Sequence, residues 1–433
     1  MKHLNNRESE SQFPAFPSNI MQGVAKEFVD LYSQIRETPE AFLWLSFVTY
    51  FGNAISPYVR LGCVSSEPRI YGVVIGKSGR TRKSAGINVA RELFKRIAQE
   101  QVIVEGFGSA EGILVRLGTS ANPQPAILHL DEISVIASKT DIKGTAGVAA
   151  LHKLFEDHDY DHPLATKQGY TVRNAYLSLI GASTLEDFTK AWAGKHEDVG
   201  FFSRLLLVAS DTDKRISLPL DPAPQLLEVL LQRVQSLLSS VIGRAKTINV
   251  DDDAAQIWDQ FYSAFGDGPE WNRIDAYGFR LMVVQAILRQ EKSITKENVQ
   301  QVIDFLQYEV AVRRMVAPVI AETPAAKMEE LIRRHLQEGE TVTRRDLQRR
   351  TNYTRYGIDV FERAVTSMKK NGELAEREDG RTTLYTRSKS GESECERAVE
   401  PAETPNLSET SDQAAAFNSP SDQYGVDLRP VES

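Results

Sequence analysis

Five short apolar runs, separated by stretches with helical periodicity, occupy residues 67–215 of this 433-residue chain. Strands that alternate with helices in this way are typical of a mainly parallel sheet covered by helices on both faces. The runs lie at residues 71–75, 102–104, 126–130, 176–180 and 205–208. The sequence therefore predicts an α/β fold for this part of the chain.

Composition and periodicity divide the rest of the chain. The last 46 residues carry ten acids against three bases and few large apolar residues, which is typical of a disordered acidic tail. The predicted segments are a disordered N-terminus (1–19), helices that pack on the core (20–66), the α/β core (67–220), a helical lid (221–322), a small helical domain that ends in a hairpin (326–387) and the tail (388–433).

The two cysteines and the longest apolar stretch indicate the compartment. Cys63 and Cys395 lie far apart and predict neither a disulfide framework nor a metal cluster, so a reducing, cytoplasmic location is the simplest interpretation. Residues 41–55 are apolar with polar interruptions, and a membrane span needs about 20 apolar residues. This stretch is therefore predicted to be a buried core helix, and no membrane partner is expected.

A loop rich in glycine and cationic residues follows the first apolar run, with the sequence Gly76-Lys-Ser-Gly-Arg-Thr-Arg-Lys-Ser84. Gly76 and Gly79 would let the backbone curl round phosphate groups. Lys83 would reach the β- and γ-phosphates, and Ser84 would bind Mg²⁺. The standard P-loop has one residue fewer between its first glycine and its lysine, and it has a glycine where this chain has Arg82. Alone, the segment fits either a nucleotide-binding loop or a surface turn with solvated cations.

A second motif lies 48 residues after Lys83, where the apolar run at 126–130 ends in Asp131 and Glu132. Asp131 would hold Mg²⁺, and Glu132 would orient and polarise an attacking water. An Asp-Glu pair by itself also fits an ordinary strand end. The two motifs in this order within an α/β segment favour a site for ATP and Mg²⁺, in which Arg82 would add positive charge near the phosphates.

Further polar positions follow the two motifs. Ser183 and Thr184 end the fourth run and would offer a hydroxyl to the γ-phosphate or the water (sensor 1). Arg204 precedes the last run and would act as an arginine finger on a neighbour's nucleotide, which predicts a homo-oligomer, either a ring or a dimer. Arg273 and Arg280 lie on nearly the same helix face, and Arg273 is the candidate nucleotide contact from the lid (sensor 2). The alternative is a structural ion pair for Arg204 and a solvated or paired arginine at the other two positions.

These motifs, with their flanking residues, resemble a known family. It is the P-loop ATPase domain family of unknown function that is common in prophages, plasmids and integrated elements and is often associated with primases and helicases. The resemblance covers about residues 20–315. It is carried by residues 66–71, 76–84, 106–114, 130–132, 181–188 and 200–208. Loops with the extra residue recur in that family, so the resemblance implies a working variant loop, ATPase activity and replication proteins as partners.

The wider plan, an AAA+-like core with a helical lid and a C-terminal winged helix, is similar to that of minichromosome-maintenance helicases. In those proteins the segment before the sensor 1 strand carries a hairpin that touches DNA, and residues 165–169 occupy the matching place in this chain. The similarity therefore implies Lys167 as a DNA contact.

The pattern of residues 326–387 predicts a winged helix-turn-helix, whose third helix enters the major groove of DNA. The predicted helices lie at 327–339, 342–350 and 355–371, and Asp379-Gly380 is a hairpin signal. The candidate DNA contacts are Arg344, Arg345, Thr354, Arg355, Tyr356 and, in the wing, Arg381. They would chiefly meet phosphates. Winged helices also serve as protein-interaction modules, and that alternative stays open.

The leading hypothesis from sequence is an ATP-dependent, DNA-acting AAA+-type ATPase, helicase-like or initiator-like, in the replication of a mobile element or prophage. The alternative is a winged-helix DNA-binding regulator whose P-loop site senses ATP with little or no hydrolysis. A small-molecule kinase would also use a P-loop, but the Asp-Glu pair and the winged helix would have no role in it.

Overall fold

The computed structural model describes residues 13–62, 64, 66–79, 81–136, 147–163, 169–192, 199–317, 323–380 and 382–388. The described residues form two separate hydrophobic cores. The larger core draws on residues 13–316, and the smaller one on residues 328–385.

The larger unit alternates helices and strands through its first two thirds and is mainly helical after residue 209. Its helices are α1 (Gly23–Ser33), α2 (Glu40–Ile55), α3 (Lys83–Ile97), α4 (Ala110–Leu117), α5 (Gly147–Glu156), α6 (Leu185–Trp192), α7 (Val199–Phe202), α8 (Pro224–Ser239), α9 (Asp252–Ser263), α10 (Ile274–Leu288) and α11 (Lys296–Val316). Its strands are β1 (Val59–Leu61), β2 (Tyr71–Ile75), β3 (Val102–Glu105), β4 (Thr119–Leu130), β5 (Tyr160–His162), β6 (Tyr170–Ser183), β7 (Leu206–Ala209), β8 (Lys246–Val250) and β9 (Ser293–Ile294).

The central sheet has the strand order β3-β4-β6-β2-β7, and all four neighbouring pairs are parallel. The short strand β5 pairs antiparallel with the first three residues of β6, at positions 170–172. Each of the five predicted apolar runs lies on one of the five parallel strands. The prediction of an α/β fold with a mainly parallel sheet is therefore confirmed, and the carboxyl ends of these strands meet at one edge.

Helix α2 is the buried helix that the apolar stretch predicts, since residues 41–55 are all buried. It packs on α3 and on four strands of the sheet. Gly72 of β2 allows the close approach, because a Cβ atom there would lie 3.0 Å from Thr49 Oγ1. Asn53 anchors the helix to the sheet by donating to the carbonyls of Ala126 and Tyr176. Within the described part of the chain, no helix is long and apolar enough to cross a membrane.

A second, small parallel sheet with the order β1-β8-β9 joins the N-terminal helices to the later helical region. The sequence predicted a helical lid for residues 221–322, and the structure adds the two short strands β8 and β9 to the helices of this segment. In β8 only Ile248 is fully buried among exposed and half-buried residues. So short a strand has too little apolar pattern to stand out between two amphipathic helices.

The end of the predicted disordered N-terminus is ordered. Phe13 is buried, and the ring of Phe16 packs against Trp44, Phe305 and Tyr308 with centroid distances of 5.4–6.1 Å. Polar composition and two prolines pointed to disorder for residues 1–19. Residues 13–19 are nevertheless ordered, because the side chains of Phe13 and Phe16 pack on the core and each buries a large apolar area.

Helix α11 covers the edge strand β7. The backbone N–H of Leu207 donates to both carboxylate oxygens of Glu309, at 3.0 and 2.9 Å, and that of Ala209 donates to the Tyr308 hydroxyl at 2.9 Å. Arg313 pairs with Glu309 at 2.8 Å, and both side chains are buried. The backbone N–H groups at the outer edge of β7, which could pair with a further strand, therefore donate to polar side chains of α11 instead.

The smaller unit contains α12 (Pro324–His335), β10 (Thr341–Thr343), α13 (Arg344–Arg350), a 3₁₀ turn (Tyr353–Arg355), α14 (Ile358–Lys370), β11 (Leu374–Asp379) and β12 (Thr382–Arg387). Its strands form an antiparallel sheet with the order β10-β12-β11. Thr343 caps α13 by accepting from the N–H of Asp346. The third helix begins at Ile358 instead of residue 355, because Asn352 and Gly357 have positive φ angles that interrupt the helical backbone.

Candidate functional site

Three predicted site segments meet at the carboxyl edge of the central sheet. The loop of residues 76–84 follows β2, Asp131 and Glu132 follow β4, and Ser183 ends β6 between those two strands. The N–H of Gly76 donates to the carbonyl of Ser183 at 3.2 Å. Because this edge of an open parallel sheet is the usual ligand-binding crevice, it is the candidate site.

The two glycines of the loop are required for different structural reasons. Gly76 is buried, and a Cβ atom there would lie 2.5 Å from Thr81 Oγ1 and 3.0 Å from a ring carbon of Phe42. Thr81 in turn donates to the carbonyl of Lys77 at 3.0 Å and closes the loop. Gly79 has a φ of +66° and faces open space, so it supplies a left-handed bend at an accessible surface.

Arg82 has a φ of 45° and a ψ of 42°, which is the left-handed conformation, and it directly precedes α3. It stands where the standard motif has a glycine, the residue that reaches this conformation without strain. For another residue the conformation costs about 1–2 kcal/mol. The carbonyl of Arg82 nevertheless accepts the first helical hydrogen bond, from Gly86 at 3.2 Å. Arg82 therefore precedes the helix in a left-handed conformation, at the place where the standard motif has its glycine.

The side chains of Arg82 and Lys77 are held by acidic residues outside the loop. Arg82 Nε donates to Glu37 Oε2 at 3.0 Å, and Lys77 pairs with Asp211 after β7. Arg82 was predicted to add charge near the phosphates. The structure instead directs its guanidinium to the turn between α1 and α2.

Lys83 lies over the loop that precedes it. Its ammonium donates to the carbonyls of Gly76 at 3.1 Å and Lys77 at 3.2 Å. Partial burial lowers the pKa of Lys83, while the negative charges of Glu132 and Asp187 act in the opposite direction. The amine therefore lies between the loop and the two carboxylates, as a phosphate-binding lysine would.

Glu132 is half-buried beside Ser183, whose hydroxyl donates to Oε1 at 3.1 Å. The N–H of Ile133 donates to the carbonyl of Ala182 at 2.9 Å and fixes the two strand ends together. Burial raises the pKa of Glu132, and the charge of Asp187 raises it further, while Ser183 and Lys83 lower it. A carboxyl with a raised pKa suits a general base that accepts a proton near neutral pH.

Ser84 and Asp131, the predicted metal ligands, are both exposed at this edge. The described residues contain no group of three or more His, Cys, Asp or Glu side chains that could hold a metal ion. Mg²⁺ is commonly bound by one or two protein ligands together with substrate phosphates. An exposed hydroxyl and an exposed carboxylate fit that mode, in which the metal arrives with the nucleotide.

Thr184 has a structural task at the start of α6. Its hydroxyl accepts from the N–H of Asp187 at 3.0 Å and donates to the Asp187 carboxylate at 2.6 Å. Asp187 was not among the predicted site residues, although a threonine followed three residues later by an acid is a helix-start signal. Of the two predicted hydroxyls, Ser183 is the one that contacts Glu132.

Arg204 and Arg273 lie at the opposite, amino-end edge of the sheet. Arg204 is two residues before β7, and its guanidinium donates to the carbonyl of Gly200 at 2.5 Å. Arg273 pairs with Glu156. The length of β2, roughly 13 Å, separates this edge from Lys83. Arg273 is therefore paired at the amino-end edge and is not brought together with Lys83, and Arg204 also lies away from the carboxyl edge of its own sheet.

The arginines of the amino-end edge surround the end of α5. The guanidinium carbons of Arg204 and Arg273 each lie 5.8 Å from the centre of the Phe155 ring, and that of Arg280 lies at 3.8 Å. Arg280 is buried and donates to the carbonyls of Phe155 at 2.9 Å and Arg69 at 2.7 Å. Cations at a helix C-terminus stabilise it, so the structure supports the paired, structural alternative for Arg280.

The candidate DNA contacts of the smaller unit differ in availability. Arg345, Thr354 and Arg355 are exposed, whereas Arg344 pairs with Glu362 and Tyr356 is half-buried. Lys167 and Arg381 lie outside the described residues. Two exposed cations on one face of α14 were not among the predicted contacts, namely Arg363 and Lys370. Their spacing of seven residues is the signal that could have identified them.

Comparison with models of known protein families found no match, and no curated protein matches the chain. The family resemblance of the sequence motifs therefore stays a prediction. The function is inferred from the arrangement of the side chains at the carboxyl edge of the sheet.

Proposed function

We propose that this protein binds and hydrolyses ATP, with Mg²⁺, at the carboxyl edge of its central sheet. The observation that carries the proposal is the meeting of Lys83, Glu132 and Ser183, which come from three segments far apart in the sequence. The left-handed Gly79 and the start of α3 support it, because backbone N–H groups at a helix start bind anions.

The residues have separate tasks in the proposed reaction. Lys83 binds the phosphates, and Ser84 and Asp131 would hold Mg²⁺, which would supply positive charge beside the phosphates. Glu132 orients a water molecule and accepts its proton at a carboxylate oxygen as the water attacks the terminal phosphorus. The bond between that phosphorus and the oxygen bridging it to the β-phosphate breaks, and ADP and inorganic phosphate leave. Ser183 keeps that carboxylate in place through the 3.1 Å hydrogen bond. Arg204, at the other edge, would serve the nucleotide of a neighbouring copy in a homo-oligomer.

We propose further that the smaller unit is a winged helix that binds DNA. Its order of helix, strand, helix, helix and hairpin supports the proposal. Exposed Arg345 and Arg355, with Arg363 and Lys370 on α14, would meet the phosphate backbone. A DNA-stimulated ATPase that acts in replication is the function that would use both the nucleotide site of the larger unit and the DNA-binding surface of the smaller unit.

ATP turnover by wild type, Lys83→Ala and Glu132→Gln tests the nucleotide site. We expect both variants to lose most of the activity, and Glu132→Gln to keep ATP binding because Lys83 remains. Lys95→Ala is the matched control, since Lys95 is an exposed lysine of the same helix that pairs with Glu105. Equal turnover in all four proteins would contradict the proposal.

DNA affinity measured over a series of salt concentrations tests the smaller unit. The double variant Arg345→Ala/Arg355→Ala should bind more weakly, and the slope of log affinity against log salt should fall by about 2, because each lost phosphate contact removes about 0.9. Arg244→Ala, an exposed arginine of the larger unit, is the control. An unchanged slope would favour a protein-interaction role for this unit.

The second candidate is a DNA-binding regulator that senses ATP without turning it over. The observation that favours it is the pairing of the loop cations Arg82 and Lys77 with Glu37 and Asp211. ATP binding without hydrolysis, in the presence of DNA, would establish this function instead of the first.

A further inference from the structure

Glu37 is a buried acid that joins three separate parts of the chain. It lies in the turn between α1 and α2, and its side chain is only 9% exposed. One carboxylate oxygen accepts from Arg82 Nε at 3.0 Å, and the other accepts from the N–H of Ile216 at 2.9 Å. Because both oxygens have donors, the orientation of the carboxylate is fixed, and the hydrogen bonds from Ile216 and Arg82 lower the pKa of Glu37.

The same turn contacts the backbone where α3 begins. The Thr38 hydroxyl donates to the carbonyl of Arg82 at 3.4 Å. Gly86, one turn into α3, lies so close that a Cβ atom there would be 2.6 Å from Thr38 Cγ2. The turn therefore holds Arg82 through its side chain and through its carbonyl, and it touches the helix that Lys83 and Ser84 open.

We propose that Glu37 is a positioning residue for the phosphate-binding loop, which holds Arg82 in its left-handed conformation so that Lys83 and Ser84 face the phosphates. The inference rests on the proposed nucleotide site. In the standard motif a glycine reaches this conformation unaided. Here an arginine occupies the position, and a buried carboxylate 45 residues earlier holds it from outside the loop.

A double-mutant cycle on ATP binding tests this role. Glu37→Gln keeps the shape of the side chain but loses one of its two hydrogen bonds, so ATP affinity should fall on the order of ten-fold. In Arg82→Gly the glycine reaches the left-handed conformation without help from Glu37. The ATP affinity of this variant, whatever its value, is the reference for the second half of the cycle. In that background Glu37→Gln should cause no further loss.

A second pair of variants covers the case in which Glu37→Gln does not fold. Arg82→Ala has neither the ion pair nor the freedom of glycine, so it should bind ATP on the order of ten-fold less tightly than Arg82→Gly. A thermal melt of each variant separates loss of binding from loss of folding.

Each outcome decides between the proposals. Absence of ATP binding by the wild type would overturn the proposed function, and this inference with it. Wild-type binding with an unchanged affinity in Glu37→Gln, or an equal loss in both backgrounds, would overturn this inference alone. Tighter binding by Glu37→Gln would also overturn it, because Glu37 would then be a competitor of the phosphates for Arg82.

Discussion

Glu132 is a half-buried carboxyl with a positive and a negative neighbour. Burial and Asp187 raise its pKa, whereas the hydrogen bond from Ser183 and the charge of Lys83 lower it. The pKa of Glu132 therefore depends on neighbouring residues that can be substituted one at a time. A general base is active only when ionised, so these neighbours also set the pH range of the proposed reaction.

Ser183→Ala should move the acid limb of the pH–rate profile to higher pH. The Ser183 hydroxyl stabilises the ionised carboxylate, so its removal raises the pKa of Glu132 further above the ordinary value of 4.5, and activity then appears only at a higher pH. The turnover number of both proteins, measured from acid to neutral pH, checks this. Ser240→Ala, a hydroxyl that donates to a carbonyl at the end of α8, should leave the profile unchanged. A shift to lower pH would contradict the assignment.

At this scale the sequence predicted the contacts that follow from strand order. Lys83, Glu132 and Ser183 each end or follow a strand, and parallel strands bring such positions to one edge. Glu37 could not be predicted in this way, because a lone glutamate in a turn has no pattern that links it to Arg82. The pairing of Arg273 with Glu156 could not be predicted either, since helix periodicity gives the face of a residue but not the edge of the sheet that it reaches.

At the scale of elements, α11 and β7 depend on each other. Glu309 and Tyr308 satisfy backbone N–H groups of β7, and Arg313 donates to the carbonyls of Leu205 at 3.0 Å and Asn272 at 2.7 Å. The N–H groups of Leu207 and Ala209 and the carbonyl of Leu205 are buried, so truncation of the side chain that contacts each of them leaves a buried polar group without that partner. The helix was predictable from its periodicity, but its polar contacts with the strand were not, because they join residues about 100 positions apart.

Glu309→Gln should lower the free energy of unfolding by about 3–5 kcal/mol, because it leaves the buried Arg313 without its counter-charge. Tyr308→Phe should lower it by about 1–3 kcal/mol, since Ala209 then loses its partners. Denaturant unfolding of the purified variants measures both values. Glu297→Gln, in the exposed first turn of the same helix, should change stability by less than about 1 kcal/mol. Equal effects of all three substitutions would contradict this account of the α11–β7 contact.

At the scale of the whole molecule, the two edges of the sheet carry different parts of the proposed site. Lys83 and Glu132 lie at the carboxyl edge, and Arg204 lies at the amino edge beside Phe155. One chain cannot bring them together across its own sheet. If Arg204 takes part in catalysis, the complete site forms only between copies, and activity should rise with protein concentration.

Mixing two inactive variants tests this arrangement. Lys83→Ala and Arg204→Ala should each have little activity, but an equal mixture should recover up to about a quarter of the wild-type rate, because that fraction of interfaces pairs two intact edges. ATP turnover of the mixture against its separate components is the measurement. An Arg204→Ala protein with wild-type turnover, or a mixture without recovery, would contradict a shared site.

The covered edge strand has a consequence for self-association. An open sheet with a bare edge can template strand addition by another chain, and such edges are a route to aggregation. Side chains of α11 occupy the outward N–H groups of β7, so that edge is closed to strand addition as long as the helix stays docked. Any contact between copies at this side of the sheet would therefore have to use loops and side chains, because β7 offers no free N–H group at Leu207 or Ala209 for pairing with another strand.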